Sequence, residues 1–460
     1  MKGIGAYRGK RVGVLGLGRS GRAVARALRA AGADPLLYDD DPATLDAACT
    51  AGGRPGAAAD LPDLALLVAS PGVPLTHPAP HPLIEDARRA GVPVCGDVDL
   101  FAATYPETFL IGVTGTNGKS TTTALIAHLL AAAGLPAEAA GNIGRPVFDL
   151  EPAPGTILVL ELSSFQLDLS RELRCRIAVW LNLEPDHLDR HGDLDGYIAA
   201  KRRLFAGQRP GDRAVVAVDD DVSRALAEEL EAAGRAPIRV SGSRADVEVG
   251  VADGWLVARS EGGLRRIAEL AGLPRLRGRH NHQNAAAAFA VARLLGVDGA
   301  VAARGLASFP GLPHRMREVG RLGRIRFIDD SKATNPAAAG RSLASFSEIY
   351  WIAGGRAKPG GFGALEPHLG NIRAAFLIGE AAPELARFLE GRVPAEMVGE
   401  LARAVPAAAR AADRSEGEAP VVLLAPACAS FDQFTDFEAR GRAFAALVAE
   451  LASAAAGGAA

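Results

Sequence analysis

The sequence predicts an α/β fold with mostly parallel sheets, on three observations. Short apolar runs alternate along the chain with longer segments of helical periodicity, as in parallel strands joined by crossover helices. Some runs, such as residues 157–162 and 177–182, are apolar almost throughout, which is typical of strands covered on both faces. Two runs lead into glycine-rich turns followed by helices, at residues 16–21 and 112–122. We therefore expect ligands at the carboxyl ends of the strands.

The predicted strands form three blocks. In the first block they cover residues 11–15, 35–38 and 64–69, and the block ends between residues 97 and 107. In the second they cover residues 109–114, 157–162, 177–182 and 214–218, followed by an antiparallel extension at 238–275 and a helix at 284–295. In the third they cover residues 325–328, 349–353, 375–378 and 421–425. The alanine-rich end, residues 454–460, is expected to be frayed helix or disorder.

The first block contains the pattern Gly16-x-Gly18-x-x-Gly21 between a strand and a helix, with Asp39 18 residues further on. This arrangement fits a dinucleotide fold, in which the glycines admit a pyrophosphate and the acid binds a ribose. Another nucleotide-diphosphate ligand, or a tight turn that binds nothing, would use the same pattern. A second nucleotide loop further along the chain argues against NAD.

That second loop follows the predicted strand at residues 109–114 and opens a helix at Lys119. Its glycines let the backbone wrap around phosphates, and the helix N-terminus points unpaired N–H groups at them. Lys119 supplies a positive charge, and the Ser120 hydroxyl can reach a phosphate-bound magnesium ion. The spacing is irregular because Val113 stands where the standard phosphate loop has its first glycine. The loop nonetheless predicts an ATP or GTP site.

Acidic and histidine side chains follow two neighbouring strands of the second block. Glu161 lies at the end of one strand, where an unpaired charge is costly and a metal or a basic partner is implied. His187 follows the next strand, at the same expected edge of the sheet. A salt bridge at Glu161 and a solvated histidine are the alternatives. The spacing around Lys201 indicates no more than a surface lysine.

Composition excludes several classes of protein. The 460 residues carry 51 basic and 53 acidic side chains, which gives no electrostatic case for nucleic acid or an anionic membrane. Four separated cysteines suggest neither a zinc knuckle nor a disulfide framework. No run approaches the length of a membrane span, and the N-terminus lacks the apolar stretch of a signal peptide. We expect a cytoplasmic protein, and a monomer.

Seven short sequence segments resemble those of the Mur ligase family, and they occur in the same order along the chain. They are Gly115-Thr-Asn-Gly-Lys-Ser-Thr121, Leu160-Glu-Leu-Ser-Ser-Phe-Gln-Leu167, Asp186-His-Leu-Asp-Arg190, Gly278-Arg-His-Asn-His-Gln-Asn284, Phe309-Pro-Gly-Leu-Pro-His-Arg315, Asp330-Ser-Lys-Ala-Thr-Asn335 and Pro426-Ala-Cys-Ala-Ser-Phe-Asp-Gln-Phe434. The resemblance covers nearly the whole chain. It implies a Rossmann-like UDP-binding domain at residues 1–98, a central P-loop ATPase-like domain at 99–312 and a Rossmann-like C-terminal domain at 313–460.

The resemblance also implies an activity, an ATP-dependent amide ligation in peptidoglycan precursor synthesis. The expected substrates are ATP, UDP-N-acetylmuramoyl-L-alanine and D-glutamate, joined through an acyl phosphate. The expected cofactors are two Mg²⁺ ions and a carbamylated lysine at Lys201. A sister ligase with another acceptor, such as L-glutamate or a folate, is the alternative within the enzymes. A catalytically inactive nucleotide-binding scaffold and an NAD-dependent oxidoreductase are the alternatives outside this family.

Site residues are carried over position by position from the resemblance. Lys119, His187 and Lys201 are the expected catalytic residues. The ATP site would comprise Gly115, Thr116, Asn117, Gly118, Lys119, Ser120, Thr121, Asn284, Arg315 and Asp330. One magnesium ion would be held by Ser120 and Glu161, and the other by His187 and the carbamate of Lys201. The UDP-substrate site would comprise Gly18, Arg19, Ser20, Asp40, Gly72 and Asn142. The D-glutamate site would comprise Lys332, Thr334, Lys358, Ser430 and Phe437.

One departure from the family concerns the residues after the second strand. This chain has Asp40-Asp41 where the family's ligases can present a Thr-Arg pair. Two acids cannot stabilise a diphosphate, so Asp40 would instead hydrogen-bond the uracil or the ribose, or the pair would cap the helix after Pro42.

Overall fold

The computed structural model describes residues 1–142 and 145–457 and contains three β-sheets. The chain forms two compact units. The first consists of Met1–Ala271 and Asn281–Phe309, and the second of Gly272–His280 and Pro310–Ala460. Two sheets belong to the first unit and one to the second. The predicted α/β class with parallel-rich sheets is confirmed, whereas the domain boundaries at residues 98 and 312 stay predictions.

The first sheet has five parallel strands in the order β3-β2-β1-β4-β5. The strands are β1 (Arg11–Leu15), β2 (Asp34–Tyr38), β3 (Arg54–Pro55), β4 (Leu66–Ala69) and β5 (Val94–Cys95). The helices are α1 (Arg19–Ala30), α2 (Pro42–Thr50), α3 (Pro82–Arg89) and α4 (Asp97–Thr104). The strand order reverses between β1 and β4, and such a reversal opens a crevice for ligands at the carboxyl ends of these two strands.

The second sheet has nine strands in the order β14-β13-β12-β11-β10-β9-β6-β8-β7. The strands are β6 (Phe109–Thr114), β7 (Ala137–Gly141), β8 (Ile157–Glu161), β9 (Ile177–Trp180), β10 (Arg213–Ala217), β11 (Ile238–Val240), β12 (Val249–Ala252), β13 (Trp255–Ser260) and β14 (Gly263–Glu269). The helices are α5 (Lys119–Ala132), α6 (Ser164–Leu169), α7 (Leu188–His191), α8 (Leu194–Ala206), α9 (Asp221–Ala232), α10 (Arg279–Leu294) and α11 (Gly299–Ser308). The strands β12, β13 and β14 pair antiparallel, so the predicted antiparallel extension is confirmed from β12 to β14. The prediction is wrong for β11, which pairs in parallel with β10 and β12.

The third sheet has six strands in the order β15-β16-β20-β17-β18-β19. The strands are β15 (Arg317–Leu322), β16 (Ile325–Asp329), β17 (Ile349–Gly354), β18 (Ile372–Ile378), β19 (Ala395–Gly399) and β20 (Val421–Leu424). The helices are α12 (Pro336–Leu343), α13 (Ala382–Leu389), α14 (Leu401–Asp413) and α15 (Phe437–Gly457). All pairs are parallel except the hairpin β15–β16.

Short 3-10 helices complete the connections. They cover Ile4–Tyr7, Ala58–Asp63, Val147–Asp149, Pro274–Leu276 and Gly363–Asn371. Helix α15 continues through residue 457, whereas residues 458–460, part of the predicted frayed end, lie outside the described residues. Within residues 1–142 and 145–457, every helix is too short or too polar to cross a membrane.

Candidate functional site

The loop between β6 and α5 has the conformation of a phosphate-binding turn. Gly118 is the N-cap of α5 and has a left-handed backbone, with φ 83° and ψ −12°. A Cβ atom at this position would lie 2.3 Å from Oδ1 of Asn284, so only glycine fits. The turn therefore places the N-terminus of α5 at the end of a buried strand, an arrangement that favours an anion.

Two lysines converge on the carbonyl groups of this loop. Lys119 Nζ donates to the carbonyl oxygens of Gly115 and Thr116, both at 2.9 Å. Lys201 Nζ, from α8, donates to the same Gly115 oxygen at 2.8 Å. Lys201 is 1% exposed, so it is not the surface lysine that its spacing suggested. Burial, and then the nearby charge of Lys119, lower the pKa of Lys201 well below its usual value, against the opposing charges of Asp186 and Glu161.

The segment that follows β9 holds the loop in place. Asn182 accepts from the Asn117 backbone N–H through Oδ1 at 2.9 Å, and its carbonyl accepts from the Thr116 N–H at 2.9 Å. The Thr116 hydroxyl donates to the carbonyl oxygen of Glu184 at 3.0 Å, and Asn117 Nδ2 donates to the Glu184 carboxylate at 3.1 Å. Two predicted ATP residues, Thr116 and Asn117, are thus fixed by contacts that the sequence motif did not reveal.

The start of α10 packs against the same loop. Asn284 is buried and accepts a hydrogen bond from the Thr122 hydroxyl at 3.1 Å. Gln283 accepts from Asn182 Nδ2 at 2.9 Å and donates to Asp219 at 2.6 Å. The structure therefore brings Asn284 to the phosphate loop, and it adds Gln283 and Asp219, which the sequence analysis did not identify.

Glu161 ends β8 with a carboxylate that is only half satisfied. It is 3% exposed, and its Oε1 accepts from Asn142 Nδ2 at 2.8 Å. Its Oε2 is buried and has no hydrogen-bond partner among the described residues. An unpartnered buried carboxylate oxygen is costly, and oxygen is the ligand that Mg²⁺ prefers. Asn142, a predicted UDP-substrate residue, therefore holds Glu161 here; its neighbours Ile143 and Gly144 lie outside the described residues.

His187 stands directly before α7 in a left-handed conformation, with φ 54°. Its Nε2 is 3.5 Å from Asp186 Oδ2, and its ring centroid is 4.9 Å from that of Phe165. The neighbouring His191 is buried, which lowers its pKa to about 4, and its Nε2 lies 3.0 Å from the Ser164 hydroxyl. His187 is thus the more exposed of the two histidines and the one placed to meet a ligand.

The predicted metal ligands do not form a preassembled carboxylate–histidine cage. Among the described residues, no three histidine, cysteine, aspartate or glutamate side chains come together in a group that could hold a metal ion. Glu161 nevertheless fits a cation through Oε2, which no described residue hydrogen-bonds. Mg²⁺ commonly takes one or two carboxylates and completes its shell with substrate phosphates and water. The geometry is compatible with such a site.

In the first sheet, two turns meet at the strand-order reversal. The Ser70 hydroxyl donates to the Gly16 carbonyl at 2.5 Å, which joins the turn after β4 to the turn after β1. A Cβ at Gly21 would lie 1.9 Å from that Gly16 oxygen, so this glycine serves packing. In contrast, a Cβ at Gly18 or Gly72 would meet no atom within 4 Å. Gly18 and Gly72, the two predicted substrate glycines, are therefore open to a ligand.

Two other predicted substrate residues flank this crevice. Arg19, the first residue of α1, is exposed. Ser20 hydrogen-bonds the buried Asp97, whose pKa is raised to about 6 by burial in spite of that bond and one from the Val98 N–H.

The acidic residues after β2 have separate roles. Asp39 accepts from the backbone N–H groups of Leu17 at 2.6 Å and Asp41 at 3.0 Å, so it braces the glycine turn. Asp41 caps α2 by accepting from the N–H groups of Ala43 and Thr44. A hydrogen bond from the Thr44 hydroxyl, and then the one from the Ala43 N–H, lower the pKa of Asp41. The capping alternative is correct for Asp41. Asp40 has an 83% exposed side chain and lies 3.1 Å from His81 Nε2.

In the second unit, Asp330 is a buried anchor. Its carboxylate accepts from the Met316 N–H at 3.2 Å and from the Ser342 hydroxyl. Burial raises the pKa of Asp330 to about 6, while Ser342 and the charge of Arg315 act in the opposite direction. Arg315 and Asp330, both predicted to contact ATP, are therefore neighbours within this unit.

The predicted D-glutamate residues gather at the carboxyl ends of β16, β17 and β20. Lys332 Nζ lies 3.8 Å from the centroid of the Phe437 ring, within the range of a cation–π contact. Ser430 is buried, and its neighbour Ala429 exchanges two backbone hydrogen bonds of 2.9 Å with Arg356. That pairing places the segment with the exposed Lys358 beside Ser430. Thr334 is half-buried, and its N–H donates to the Lys332 carbonyl at 2.8 Å.

A buried arginine that the sequence analysis missed ties these loops together. Arg440, on α15, is 1% exposed. It donates from Nε to the Ser331 hydroxyl at 3.0 Å and from Nη2 to the carbonyls of Ser331 and Cys428 at 2.9 and 3.2 Å. Burial lowers the pKa of Arg440 to about 10. An arginine inside an otherwise helical segment gives no sequence signal for this role.

Comparison with known proteins adds independent information. Residues 113–292 match the Mur ligase middle domain. A UDP-N-acetylmuramoylalanine–D-glutamate ligase from Rhodospirillum rubrum is 49% identical over 459 residues, which cover 97% of this chain and 96% of that protein. A ligase of the same name from Caulobacter vibrioides is 48% identical, with 97% of each chain covered.

Solved structures show the same fold at low identity. A UDP-N-acetylmuramate–alanine ligase from Thermotoga maritima superposes with a TM-score of 0.57 and 20% identity, covering 95% of this chain and 98% of that chain. A MurF ligase from the same organism, solved in complex with ADP, gives a TM-score of 0.56 and 18% identity over 80% of this chain and 91% of that chain.

Proposed function

The chain belongs to the Mur ligase family, and from that premise we propose that it joins D-glutamate to UDP-N-acetylmuramoyl-L-alanine with consumption of ATP. The product is a peptidoglycan precursor. The relatives that are about 49% identical over nearly the whole chain carry the name of this ligase. The cytoplasmic location and the monomeric state expected from the sequence stay predictions.

One observation supports the proposal most strongly. The phosphate loop, Lys119, Lys201 and the half-satisfied Glu161 converge at the end of β6 and β8. The charges of Lys119 and Glu161 both act on Lys201, so the three groups share one electrostatic environment. Among the described residues, a buried carboxylate oxygen without a hydrogen-bond partner lies beside a loop shaped for phosphates, which supports a ligand-binding role for Glu161 over a purely structural one.

The proposed reaction proceeds in two steps. The alanine carboxylate attacks the γ-phosphorus of ATP, the bond to the β-phosphate oxygen breaks, and an acyl phosphate and ADP form. The D-glutamate amine then attacks the acyl carbon, loses a proton and expels inorganic phosphate through a tetrahedral intermediate. Both steps join anionic partners, so this chain contributes mainly positioning and positive charge.

The roles of the residues follow from their places. The N–H groups at the start of α5 and the Lys119 ammonium would bind the triphosphate. His187, half-buried beside Phe165, would lie near the incoming amine. Ser120 and Glu161 would hold one Mg²⁺, and His187 with a carbamylated Lys201 would hold the other. When bound, these ions would neutralise the charge of the transferred phosphoryl group.

The two remaining substrates would bind at the other sheets. The crevice between the turns after β1 and β4 would receive the UDP-sugar, with Gly18 and Gly72 open to it. Arg19, Ser20, Asp40 and Asn142 keep their proposed roles at that substrate. In the second unit, Arg315 and Asp330 would contact ATP, and Lys332, Thr334, Lys358, Ser430 and Phe437 would surround D-glutamate.

The test is an assay of phosphate release with the purified full chain. We expect release to require ATP, UDP-N-acetylmuramoyl-L-alanine and D-glutamate together, and mass spectrometry to find one added glutamate per product. A panel containing L-glutamate and other amino acids tests the acceptor. Release that does not depend on D-glutamate would refute the acceptor assignment and would favour a sister ligase.

A further inference from the structure

A buried arginine connects the loop of His187 to the first sheet. Arg190, at the end of the Asp186-His-Leu-Asp-Arg190 string, is 6% exposed. Its Nη2 donates to the carbonyl oxygen of Val73 at 3.0 Å, across 117 positions of sequence. Both residues belong to the first compact unit. The contact therefore links two segments that are far apart in sequence.

Val73 belongs to the turn at the strand-order reversal. Its N–H donates to the Ser70 carbonyl at 3.0 Å, and a Cβ placed at Gly16 would lie 3.3 Å from its Cγ2 atom. The Val73 carbonyl thus belongs to the turn after β4, and it lies next to the open Gly72. A movement of this carbonyl would move the wall of the crevice.

The other side of the Arg190 guanidinium faces the aromatic neighbour of His187. The guanidinium carbon lies 5.3 Å from the centroid of the Phe165 ring, and that ring lies 4.9 Å from the His187 ring. Nη1 is paired with Asp168 Oδ2 at 3.3 Å, which fixes the plane of the guanidinium. Val73, Arg190, Phe165 and His187 therefore form one continuous series of contacts.

We propose that Arg190 is a positioning residue, which sets the turn that receives the UDP-sugar at a fixed distance from His187. The inference rests on the proposed function, because it takes the crevice as the site of UDP-N-acetylmuramoyl-L-alanine. Ligation requires the alanine carboxylate to reach the γ-phosphoryl group and the amine together. A small displacement of the sugar site would misalign the reacting atoms.

The chain provides a matched control in Arg203, on α8. Arg203 contacts the same Asp168, through Oδ1 at 3.4 Å and through the Asp168 carbonyl, and its side chain is 40% exposed. It is not part of the series of contacts with Val73 and Phe165 described above. A change at Arg203 therefore removes a partner of Asp168 while it leaves the proposed link intact.

The experiment compares Arg190→Met, Arg190→Lys and Arg203→Met by steady-state kinetics. We expect Arg190→Met to raise KM for UDP-N-acetylmuramoyl-L-alanine by about tenfold or more, because the wall of the crevice loses the charged hydrogen bond to Val73 that holds it. The misaligned reacting atoms should also lower kcat, whereas KM for ATP should change by less than about twofold. Arg190→Lys keeps a charged donor but not the stacking on Phe165, so about a threefold rise is expected. Arg203→Met should resemble the unaltered chain.

Three results would overturn the proposal: an unchanged KM for the UDP-substrate in both Arg190 variants, an equal rise for ATP, or an equal effect of Arg203→Met. If Arg190→Met does not fold, the KM values of Arg190→Lys decide whether the proposal holds. Calorimetric binding of UDP-N-acetylmuramoyl-L-alanine without ATP or amino acid tests Arg190 separately from the reaction. Failure of the unaltered chain to ligate D-glutamate, with that binding intact, would instead count against the proposed function.

Discussion

Lys201 and Lys119 donate hydrogen bonds to the same carbonyl oxygen, that of Gly115, at 2.8 and 2.9 Å. Two ammonium groups so close together repel each other, and one of them is buried. Burial and this repulsion lower the pKa of Lys201, which favours its neutral amine. A neutral amine is the form that reacts with carbon dioxide to give a carbamate. The position of Lys201 thus favours the carbamylation that the family resemblance implied.

We therefore predict that Lys201 takes up carbon dioxide. In ¹³C NMR of the full chain with labelled bicarbonate, a carbamate signal should appear and should be missing from Lys201→Ala. The modification exchanges a positive charge for an anionic oxygen, so Mg²⁺ should strengthen the signal. Identical spectra of the two proteins would show that Lys201 acts as an unmodified ammonium.

A second prediction concerns Glu161, whose buried Oε2 has no hydrogen-bond partner in the part of the chain that the structure describes. Glu161→Gln keeps the shape and an acceptor for Asn142, but it removes the charge. We expect kcat to fall by at least about a hundredfold, as for the loss of one electrostatic contact in the transition state. The melting temperature without Mg²⁺ should stay the same or rise, because no charge remains buried.

The control for this prediction is Asn142→Ala, which keeps the charge of Glu161 but removes the hydrogen bond to its Oε1. It should lower the melting temperature, since the buried carboxylate then loses the hydrogen bond from Asn142. A lower melting temperature for Glu161→Gln, with normal activity, would mean that the carboxylate is structural and not a metal ligand.

A third prediction tests the amino-acid site through Phe437, which packs on the Lys332 ammonium. Phe437→Leu removes the aromatic face on which the Lys332 ammonium packs. A cation–π contact of about 0.5–2 kcal/mol corresponds to a rise of about two- to thirtyfold in KM for D-glutamate. KM for ATP should not change.

The matched control is Phe431→Leu, since Phe431 is 66% exposed and lies one residue after Ser430. This variant separates the loss of an aromatic ring near the loop from the loss of the contact with Lys332. An equal rise in KM for D-glutamate in both variants would remove Phe437 from its proposed role.

Most of the sheet cores could be predicted from the sequence. The run at residues 109–114 is β6 itself, because a strand buried on both faces leaves an uninterrupted apolar signal. The strands that were missed are short or exposed. β19 (Ala395–Gly399) and β15 (Arg317–Leu322) lie at the two edges of the third sheet and contain charged residues, so their pairing comes from neighbours that no local pattern reveals.

The boundary of α10 shows a related limit. The apolar pattern predicted a start at residue 284, whereas the helix begins at Arg279. Its first turns carry Asn281, Gln283 and Asn284, which are buried although they are polar. Their partners come from other elements, as the contacts of Gln283 with Asn182 and Asp219 demonstrate. When its partners are distant in sequence, a buried polar residue cannot be told from an exposed one by the local sequence pattern.

The candidate site shows the same limit for single carboxylates. Asp39 stands where a ribose-binding acid is expected, yet its two oxygens accept from backbone N–H groups of the chain itself. Glu161 stands in an apolar run that looks equally suited to a salt bridge, yet one of its oxygens has no hydrogen-bond partner within residues 1–142 and 145–457. Sequence patterns located both carboxylates, but only their hydrogen-bond partners separate the bracing residue from the candidate ligand.

A last prediction concerns pH. Burial raises the pKa of Asp330 to about 6 from an ordinary value of 3.8. Between these values the folded state binds more protons than the unfolded state, so the free energy of unfolding falls as pH rises from about 4 to 6 and levels off above. The difference between the two pKa values corresponds to about 3 kcal/mol in the free energy of unfolding.

Asp330→Asn cannot titrate, so its melting temperature should fall less between pH 4 and pH 7 than that of the unaltered chain. Asp413→Asn, an exposed control in the same unit, should follow the unaltered chain. If the melting temperatures of Asp330→Asn and of the unaltered chain run parallel over this range, the Asp330 carboxyl does not titrate near pH 6.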